Sequence, residues 1–242
     1  MSNYRQHIYE HYVSGFQGIK VESPLSSSTR WAMAYQTYLR GWLPSDKTAR
    51  ILDVGCGSGN LLRYLKNLGY QSLHGVDISP EQVALARQVA SDVVQGNVFD
   101  YLDSASGQFD LIIGLDLVEH FDKDEVLRFL AACRQALRPG GRIILQTPNA
   151  ESPWACSIRY GDFTHEVCFS PRLLARLLEM SGCRSVEARE AGPVLRCGPS
   201  SAVRWLLWKF VRVPMIAWNI IETGSAGSGV FTRVFLISAV RA

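Results

Sequence analysis

Three glycines at alternate positions, in Ile51-Leu52-Asp53-Val54-Gly55-Cys56-Gly57-Ser58-Gly59, constrain this chain more than any other feature. Four residues of strand character precede them, and Leu61, Leu62, Leu65 and Leu68 follow at helical spacing. The glycines therefore occupy a strand-to-helix turn without Cβ atoms. A ligand can lie against such a backbone, with the N–H groups of the helix that starts at Asn60 pointing at it. The spacing is Gly-x-Gly-x-Gly rather than Gly-x-Gly-x-x-Gly, and an acid, Asp53, stands just before the turn. A pyrophosphate would be repelled there, which disfavours NAD, whereas a ligand bearing an ammonium and a sulfonium would be attracted. Asp77 ends a second strand, where an acid can take both hydroxyls of a ribose. Asn97, after a third strand, can donate to and accept from an adenine edge. Together these segments describe a berth for a positively charged nucleoside. Its candidate contacts are Asp53, Gly55, Cys56, Gly57, Gly59, Asp77, Ile78, Asn97 and Val98, with Leu115 lining the pocket after a fourth strand.

Short apolar runs and amphipathic helices alternate through the rest of the chain. Strands are expected at Ile51–Val54, Leu73–Val76, Asp92–Gln95, Leu111–Gly114, Arg142–Gln146, Ser185–Arg189 and Arg233–Val240. Ser79-Pro80-Glu81-Gln82 reads as a capping box with proline at the first helical position, and Asp122 with Glu125 caps a helix whose stripe is Val126, Leu127, Leu130, Cys133 and Leu137. Ser170-Pro171 opens a further helix that closes near Gly182. Such alternation implies an α/β fold with a mostly parallel sheet covered on both faces and ligands bound at the carboxyl ends of its strands. Residues 1–48 read as an N-terminal helical cap, with aromatics that include Tyr4, Tyr9, Tyr12 and Phe16. Residues 49–149 form a cofactor-binding core, and residues 150–242 a substrate-side half, all within one domain. A hydrophobic fraction of 47% with 19% charged residues excludes general disorder, and a net charge of +3 is too small to indicate nucleic-acid binding. The six cysteines (Cys56, Cys133, Cys156, Cys168, Cys183 and Cys197) form no Cys-x-x-Cys pair. With no signal peptide or transmembrane run in view, they read as reduced thiols in a cytoplasmic protein.

From Ala49 to Asn149 the chain resembles the class I S-adenosylmethionine-dependent methyltransferases. The resemblance lies in Ile51–Gly59, Gly75-Val76-Asp77-Ile78-Ser79, Phe109-Asp110-Leu111-Ile112-Ile113, Glu119-His120 and Leu137-Arg138-Pro139-Gly140-Gly141, in order and at family spacing. It implies a Rossmann-like three-layer α/β/α sandwich, a seven-stranded sheet with a reversed last strand, and S-adenosyl-L-methionine as cofactor. Asn97 departs from the acid that many relatives carry to bind the adenine amino group.

Methyl transfer to a hydroxyl needs an aligned acceptor and a base for its proton. His165, in Asp162-Phe163-Thr164-His165-Glu166, and then His120 are the candidate catalytic residues; a structural role in orienting loops is the other reading of each. Asp116, Glu119 and His120 share one face if their segment is helical. With His165 they would form a two-carboxylate, two-histidine set able to hold a divalent cation such as Mg²⁺. The Asp-x-x-Glu-His pattern resembles the Glu-x-x-Glu-His metal motif of small-RNA 2′-O-methyltransferases and some quinone O-methyltransferases. The stretch from Thr164 to Gly182 resembles bacterial methyltransferases of saccharide, natural-product and quinone pathways. That implies O-methylation of a saccharide or small-molecule hydroxyl. The alternatives are a quinone-pathway enzyme with a lipid acceptor and a non-catalytic cofactor-binding subunit.

Residues 193–229 exceed a plain connection. On a helical wheel Arg204, Trp205, Trp208, Lys209 and Arg212 share an arc opposite Leu206, Leu207, Phe210, Val211 and Val213. Arg204–Val213 therefore reads as a peripheral membrane contact, or as a lid or dimer helix, and Ser225–Gly229 as a mobile hinge.

Overall fold

The computed structural model describes residues 8, 26–195 and 198–242, with side chains from Trp31 onward in the first helix. The expected aromatic contributions of Tyr4, Tyr9, Tyr12 and Phe16, and the thiol of Cys197, lie outside these residues. The elements in order are α1 (Ser26–Tyr38), β1 (Arg50–Val54), α2 (Asn60–Asn67), β2 (Ser72–Asp77), α3 (Pro80–Ala86), β3 (Asp92–Gln95), α4 (Val98–Asp103) and β4 (Phe109–Leu115). A 3₁₀ turn (Val118–His120) leads to α5 (Lys123–Ala136), β5 (Leu137–Pro148), α6 (Ala155–Arg159), α7 (Pro171–Met180), β6 (Cys183–Glu190), α8 (Pro199–Thr223) and β7 (Val234–Arg241). The seven strands form one sheet in the order β3-β2-β1-β4-β5-β7-β6. β1 to β5 pair in parallel, and β7 runs antiparallel between β5 and β6. Strand order reverses between β1 and β4, which opens a crevice at their carboxyl ends.

Local chemistry explains most of these elements. α2 ends where Gly69 adopts φ 90°, and α7 where Gly182 adopts φ 86°. Asp122 and Glu125 exchange both bonds of a capping box at α5. Apolar clusters fill both faces of the sheet. Phe109, Phe129, Phe169 and Phe235 anchor one, and Ile51, Leu62, Leu65, Leu111 and Ile144 anchor the other. Among the described residues all five cysteines are free.

Three expectations need correction. On α5, Leu127 faces solvent and Phe129 is buried in its place, because the α5 stripe follows Val126, Phe129, Leu130 and Cys133. The strand expected at Arg142–Gln146 begins earlier, because Leu137 pairs with Phe109 before the register shifts and Pro139-Gly140-Gly141 belongs to an irregular start of β5. Ser225–Gly229 is no open hinge: Arg172 donates to the Gly227 carbonyl (2.9 Å), Arg212 donates to the Gly229 carbonyl (2.8 Å), and Ser228 donates to Glu151. On α8 the tryptophan arc turns inward. Trp208 Nε1 donates to Glu190 (3.2 Å), Arg212 pairs with the same carboxylate (3.4 Å), and the apolar arc is left exposed.

Gly59 shows how tightly the first turn is built. Its φ is 81°, and a Cβ there would meet the Ala86 Cα of α3 at 3.1 Å. Gly59→Ala is expected to cost about 1–2 kcal/mol through the left-handed backbone alone, with the contact adding to it. Urea denaturation should show the lowered midpoint, and an unchanged midpoint would contradict the assignment.

Candidate functional site

The glycine turn is tied to the sheet by backbone. Gly55 N and Cys56 N both donate to the Val76 carbonyl (2.8 and 3.1 Å), so the turn lies across the end of β2. Gly55 and Gly57 have φ of 70° and 50°. A Cβ on Gly55 would touch Leu117, whereas one on Gly57 would find only Gln82 Oε1 at 3.9 Å. The Gly57 backbone is thus open to a cleft of about 370 Å³.

Asp77 sits at the floor of this cleft. Gly57 N and Ser79 N donate to its two oxygens at 2.9 Å each, which fixes the plane of the carboxylate. Burial raises its pKa against those backbone bonds, which lower it. Asp53 lies behind the turn and is 2% exposed. Burial first, and the charge of Asp77 second, push its carboxyl up to about 8.

Gln82 was readable in the sequence only as a cap residue. Its side chain does not return to the Ser79 N–H, because that N–H donates to Asp77. Gln82 Oε1 is instead buried at the cleft beside Gly57 without a hydrogen-bond donor. A buried acceptor in that position asks for a donor from a ligand.

Of the residues expected to contact a cofactor, Gly55, Gly57, Asp77, Ile78, Asn97, Val98 and Leu115 line the cleft. Asp53, Cys56 and Gly59 do not. Cys56 packs under β2, where a Cβ on Gly75 would meet its Sγ at 3.0 Å, and burial raises its thiol pKa above the ordinary range. Asn97 caps α4, its Oδ1 accepting from Phe99 N at 2.9 Å, so its amide N–H groups and the second lone pair of Oδ1 are what it can offer a ligand. Ser79, Gln82, Phe99, Leu117, Phe121 and Glu125 join the lining unforeseen. Phe99 and Phe121 have ring centroids 5.1 Å apart. α4 supplies Phe99, and the six residues Val98–Asp103 hold fewer than two helical periods, too few to show a repeat.

His120 lies on the cleft wall, and the His165 ring meets it at 4.9 Å between centroids. Thr164 Oγ1 donates its one proton to Asp162 (2.7 Å), so it accepts from His120 Nδ1 (2.8 Å). His165 Nδ1 donates to the Ile158 carbonyl (3.0 Å), and Arg159 donates to the backbone oxygens of His165 and Glu166. Both neutral imidazoles therefore carry their lone pair on Nε2. Burial raises the pKa of Asp162, but the two bonds from Thr164 and the two imidazoles outweigh it and hold the carboxylate below its ordinary value.

The expected four-residue metal set is not assembled as a unit. Asp116 and His120 are not on one helix face, because Asp116 takes φ 53° and only Val118–His120 form a 3₁₀ turn. The Asp116 carboxylate accepts both contacts of the Gln146 amide (2.9 Å each), and Tyr35 donates to Gln146 Oε1 (2.7 Å). Glu119, His120 and His165 do gather, with one ligand atom of each within 4.8 Å of the others. Glu119 is buried and accepts from Thr147 Oγ1 (3.0 Å). Burial and then Asp116 raise its pKa well above the usual range. Two imidazoles and one carboxylate suit Mg²⁺ poorly, since that ion prefers oxygen donors.

The model of a methyltransferase domain family matches residues 29–188. Ubiquinone biosynthesis O-methyltransferases of Cereibacter sphaeroides are 35% identical over 107 residues, 41% of this chain and 41% of theirs. Those of Xanthomonas oryzae are 36% identical over 108 residues, covering 42% and 44%. The chain thus spans under half the length of the curated relatives it matches. A SAM-dependent methyltransferase from Archaeoglobus fulgidus superposes with a TM-score of 0.63 at 22% identity, over 89% of this chain and 94% of that one. One from Thermotoga maritima, described as a possible histamine N-methyltransferase, gives 0.65 at 16% identity over 98% and 99%. At those identities the two structures speak for the fold. Motif order, a sheet with reversed β7 and a family match over residues 29–188 agree: the chain belongs to the methyltransferase domain family and has the class I S-adenosylmethionine-dependent fold.

Proposed function

We propose that the chain transfers a methyl group from S-adenosyl-L-methionine to a hydroxyl oxygen of a small aromatic acceptor of the quinol kind. The observation that carries the reading is one cleft that joins a carboxylate fixed by two backbone amides, Asp77, to an imidazole of defined tautomer, His120. The curated relatives support oxygen as the acceptor atom, and their names carry a quinone pathway. The saccharide acceptor expected from the sequence draws no support from them.

The residues fit the cofactor. The bare backbone of Gly57 leaves room for its methionyl end, and the unpartnered Gln82 Oε1 can accept from an ammonium. Asp77 can accept from ribose hydroxyls, Asn97 and Val98 flank an adenine, and Leu115 and Phe99 close the apolar sides. The bound cofactor supplies an electrophilic methyl on a sulfonium. The chain must position the acceptor and remove its proton as the new bond forms. His120 Nε2 takes that proton, and the Thr164–Asp162 relay stabilises the imidazolium. His165, whose ring meets that of His120, holds the ring pair in register. No step uses Mg²⁺. EDTA should therefore leave methyl transfer from labelled cofactor to dihydric phenols unchanged, and loss restored by Mg²⁺ would overturn this part of the reading.

Asp53 makes the proposal sensitive to pH. In the free protein its carboxyl is protonated below about pH 8. A cationic ligand nearby favours the carboxylate, so binding near pH 7 expels a proton and tightens as pH rises towards 8. Folded-state pKa exceeds the unfolded value, so Asp53 favours the fold most in acid, and that contribution is lost as pH climbs through about 8. Calorimetry with S-adenosylmethionine in buffers of different ionisation enthalpy should show the proton release in wild type and not in Asp53→Asn. Equal heats in both proteins would refute it. The transferase reading itself fails if labelled methyl reaches no phenol, catechol or quinol while the cofactor binds, which is what an idle cofactor-binding subunit would do.

A further inference from the structure

Beyond this cleft the outer face of α8 is a large surface feature among the described residues that the proposed reaction does not use. The helix has 25 residues, so it runs about 37 Å along the surface. Its inner arc is committed to the protein through Trp205, Trp208, Arg212 and Asn219, all partly covered. Its outer arc is apolar and exposed, with Leu206, Leu207, Phe210, Val213, Trp218 and Ile221 all between 51% and 86% accessible. Isolated surface apolar residues are ordinary, but a continuous face of this kind marks a contact surface.

We propose that α8 lies in the interface of an anionic lipid bilayer, its outer arc sunk to the level of the acyl boundary. Two observations select lipid over another protein. At 100° per residue the exposed apolar positions from Val203 to Ile221 span an arc of about 180°, with Lys209 at one margin and Arg204 at the other, both exposed. Packing against a protein needs an apolar stripe of about 100° or more, whereas a bilayer covers the whole arc and meets both margins with headgroup phosphates. Charge is arranged accordingly. Glu222 is the one acid on the helix, it lies at the far end, and it accepts from Trp218 Nε1 at 2.8 Å. Beside the Lys209 margin, a second cleft of about 430 Å³ is lined by Arg40 and Lys209, both exposed, and by Glu190, whose carboxylate is already met by Trp208 and Arg212, so a lipid phosphate can be met there. Among the described residues no helix is long and apolar enough to cross a membrane, so α8 lies along the bilayer. This inference concerns α8 and holds for any acceptor.

The test is flotation of the full chain with phosphatidylcholine vesicles, with and without phosphatidylglycerol, at low and raised salt. Wild type should float with the anionic vesicles and less so in salt. Arg204→Glu with Lys209→Glu should reduce binding to them by roughly an order of magnitude or more. Phe210→Glu with Val213→Glu should abolish it. Melting curves and S-adenosylhomocysteine binding should be unchanged in these variants, because none of the four residues lines the cofactor cleft. If the double glutamate variant does not fold, the wild-type chain still decides: its fluorescence should shift to the blue on anionic vesicles, and Trp218→Phe should remove most of that shift. Failure of wild type to float with anionic vesicles at low salt overturns the proposal. So does light scattering that shows a dimer dissociated by Phe210→Glu, because a second copy would then cover the arc.

Discussion

Asp77→Ala should weaken S-adenosylhomocysteine binding by about a hundredfold or more, the largest loss expected from any single change in the cofactor cleft. The carboxylate is held by Gly57 N and Ser79 N, so it reaches the ligand already oriented, and both oxygens retain lone pairs for ribose hydroxyls. Hydrogen bonds to a charged group contribute about 1.5–3 kcal/mol each, and the alanine also leaves two amides without an acceptor at the cleft floor. Asp77→Asn keeps the shape but turns one oxygen into a donor facing an N–H, so it should lose nearly as much. Titration calorimetry measures the affinity, and a thermal melt of the free protein separates lost binding from lost fold. An alanine variant that binds within about threefold of wild type would show that the carboxylate serves the turn alone.

His120→Ala should lower kcat by about 10²–10⁴-fold, the range that a positioned general base supplies, while cofactor affinity stays within a small factor. His120 lines the cleft, and its Nδ1–H···Thr164 bond sets the imidazole tautomer. His165→Ala should cost less, because His165 acts through the His120 ring and its own Nδ1 is bound to Ile158. A positioning role and a base role separate by pH profile. The rise of kcat with pH that imidazole titration produces should vanish in His120→Ala and persist, shifted, in His165→Ala. Thr164→Val removes the relay and should lower kcat with the histidine still present. A His120→Ala enzyme with wild-type kcat would transfer the base role elsewhere.

The two experiments probe opposite walls of one cleft and fail independently. Lost binding in Asp77→Ala with normal kcat at saturation would leave the chemistry of the histidine side intact. Lost turnover in His120→Ala with normal binding would leave the cofactor side intact.

The fold was legible because its signals are local. Glycines at every second position, the capping box of Asp122 and Glu125, and Ser170 before Pro171 each act through neighbours a few residues away, so the chain order of strands and helices could be read directly. The seven-stranded sheet with reversed β7 followed from the family resemblance and the two terminal strands. Asp77 and the glycine turn were legible for the same reason. The elements missed were short helices, such as the six residues Val98–Asp103, that hold fewer than two helical periods and so show no repeat.

What only the tertiary structure decided depends on which way a side chain turns once several elements meet. A spacing of i, i+3 and i+4 suggested that Asp116, Glu119 and His120 act together, but the φ of Asp116 breaks the helix and Gln146 takes its carboxylate from another strand. The wheel of α8 separated a tryptophan arc from an apolar arc correctly, yet helical periodicity says nothing about which arc the body covers. Glu190, from β6, settled that by drawing Trp208 and Arg212 inward. Gln82 read as a cap until Asp77 claimed the Ser79 N–H and left its oxygen at the cleft. Sequence determines local conformation through short-range sterics and hydrogen bonds, whereas competition among partners distant in the chain exists only after the sheet has brought them together.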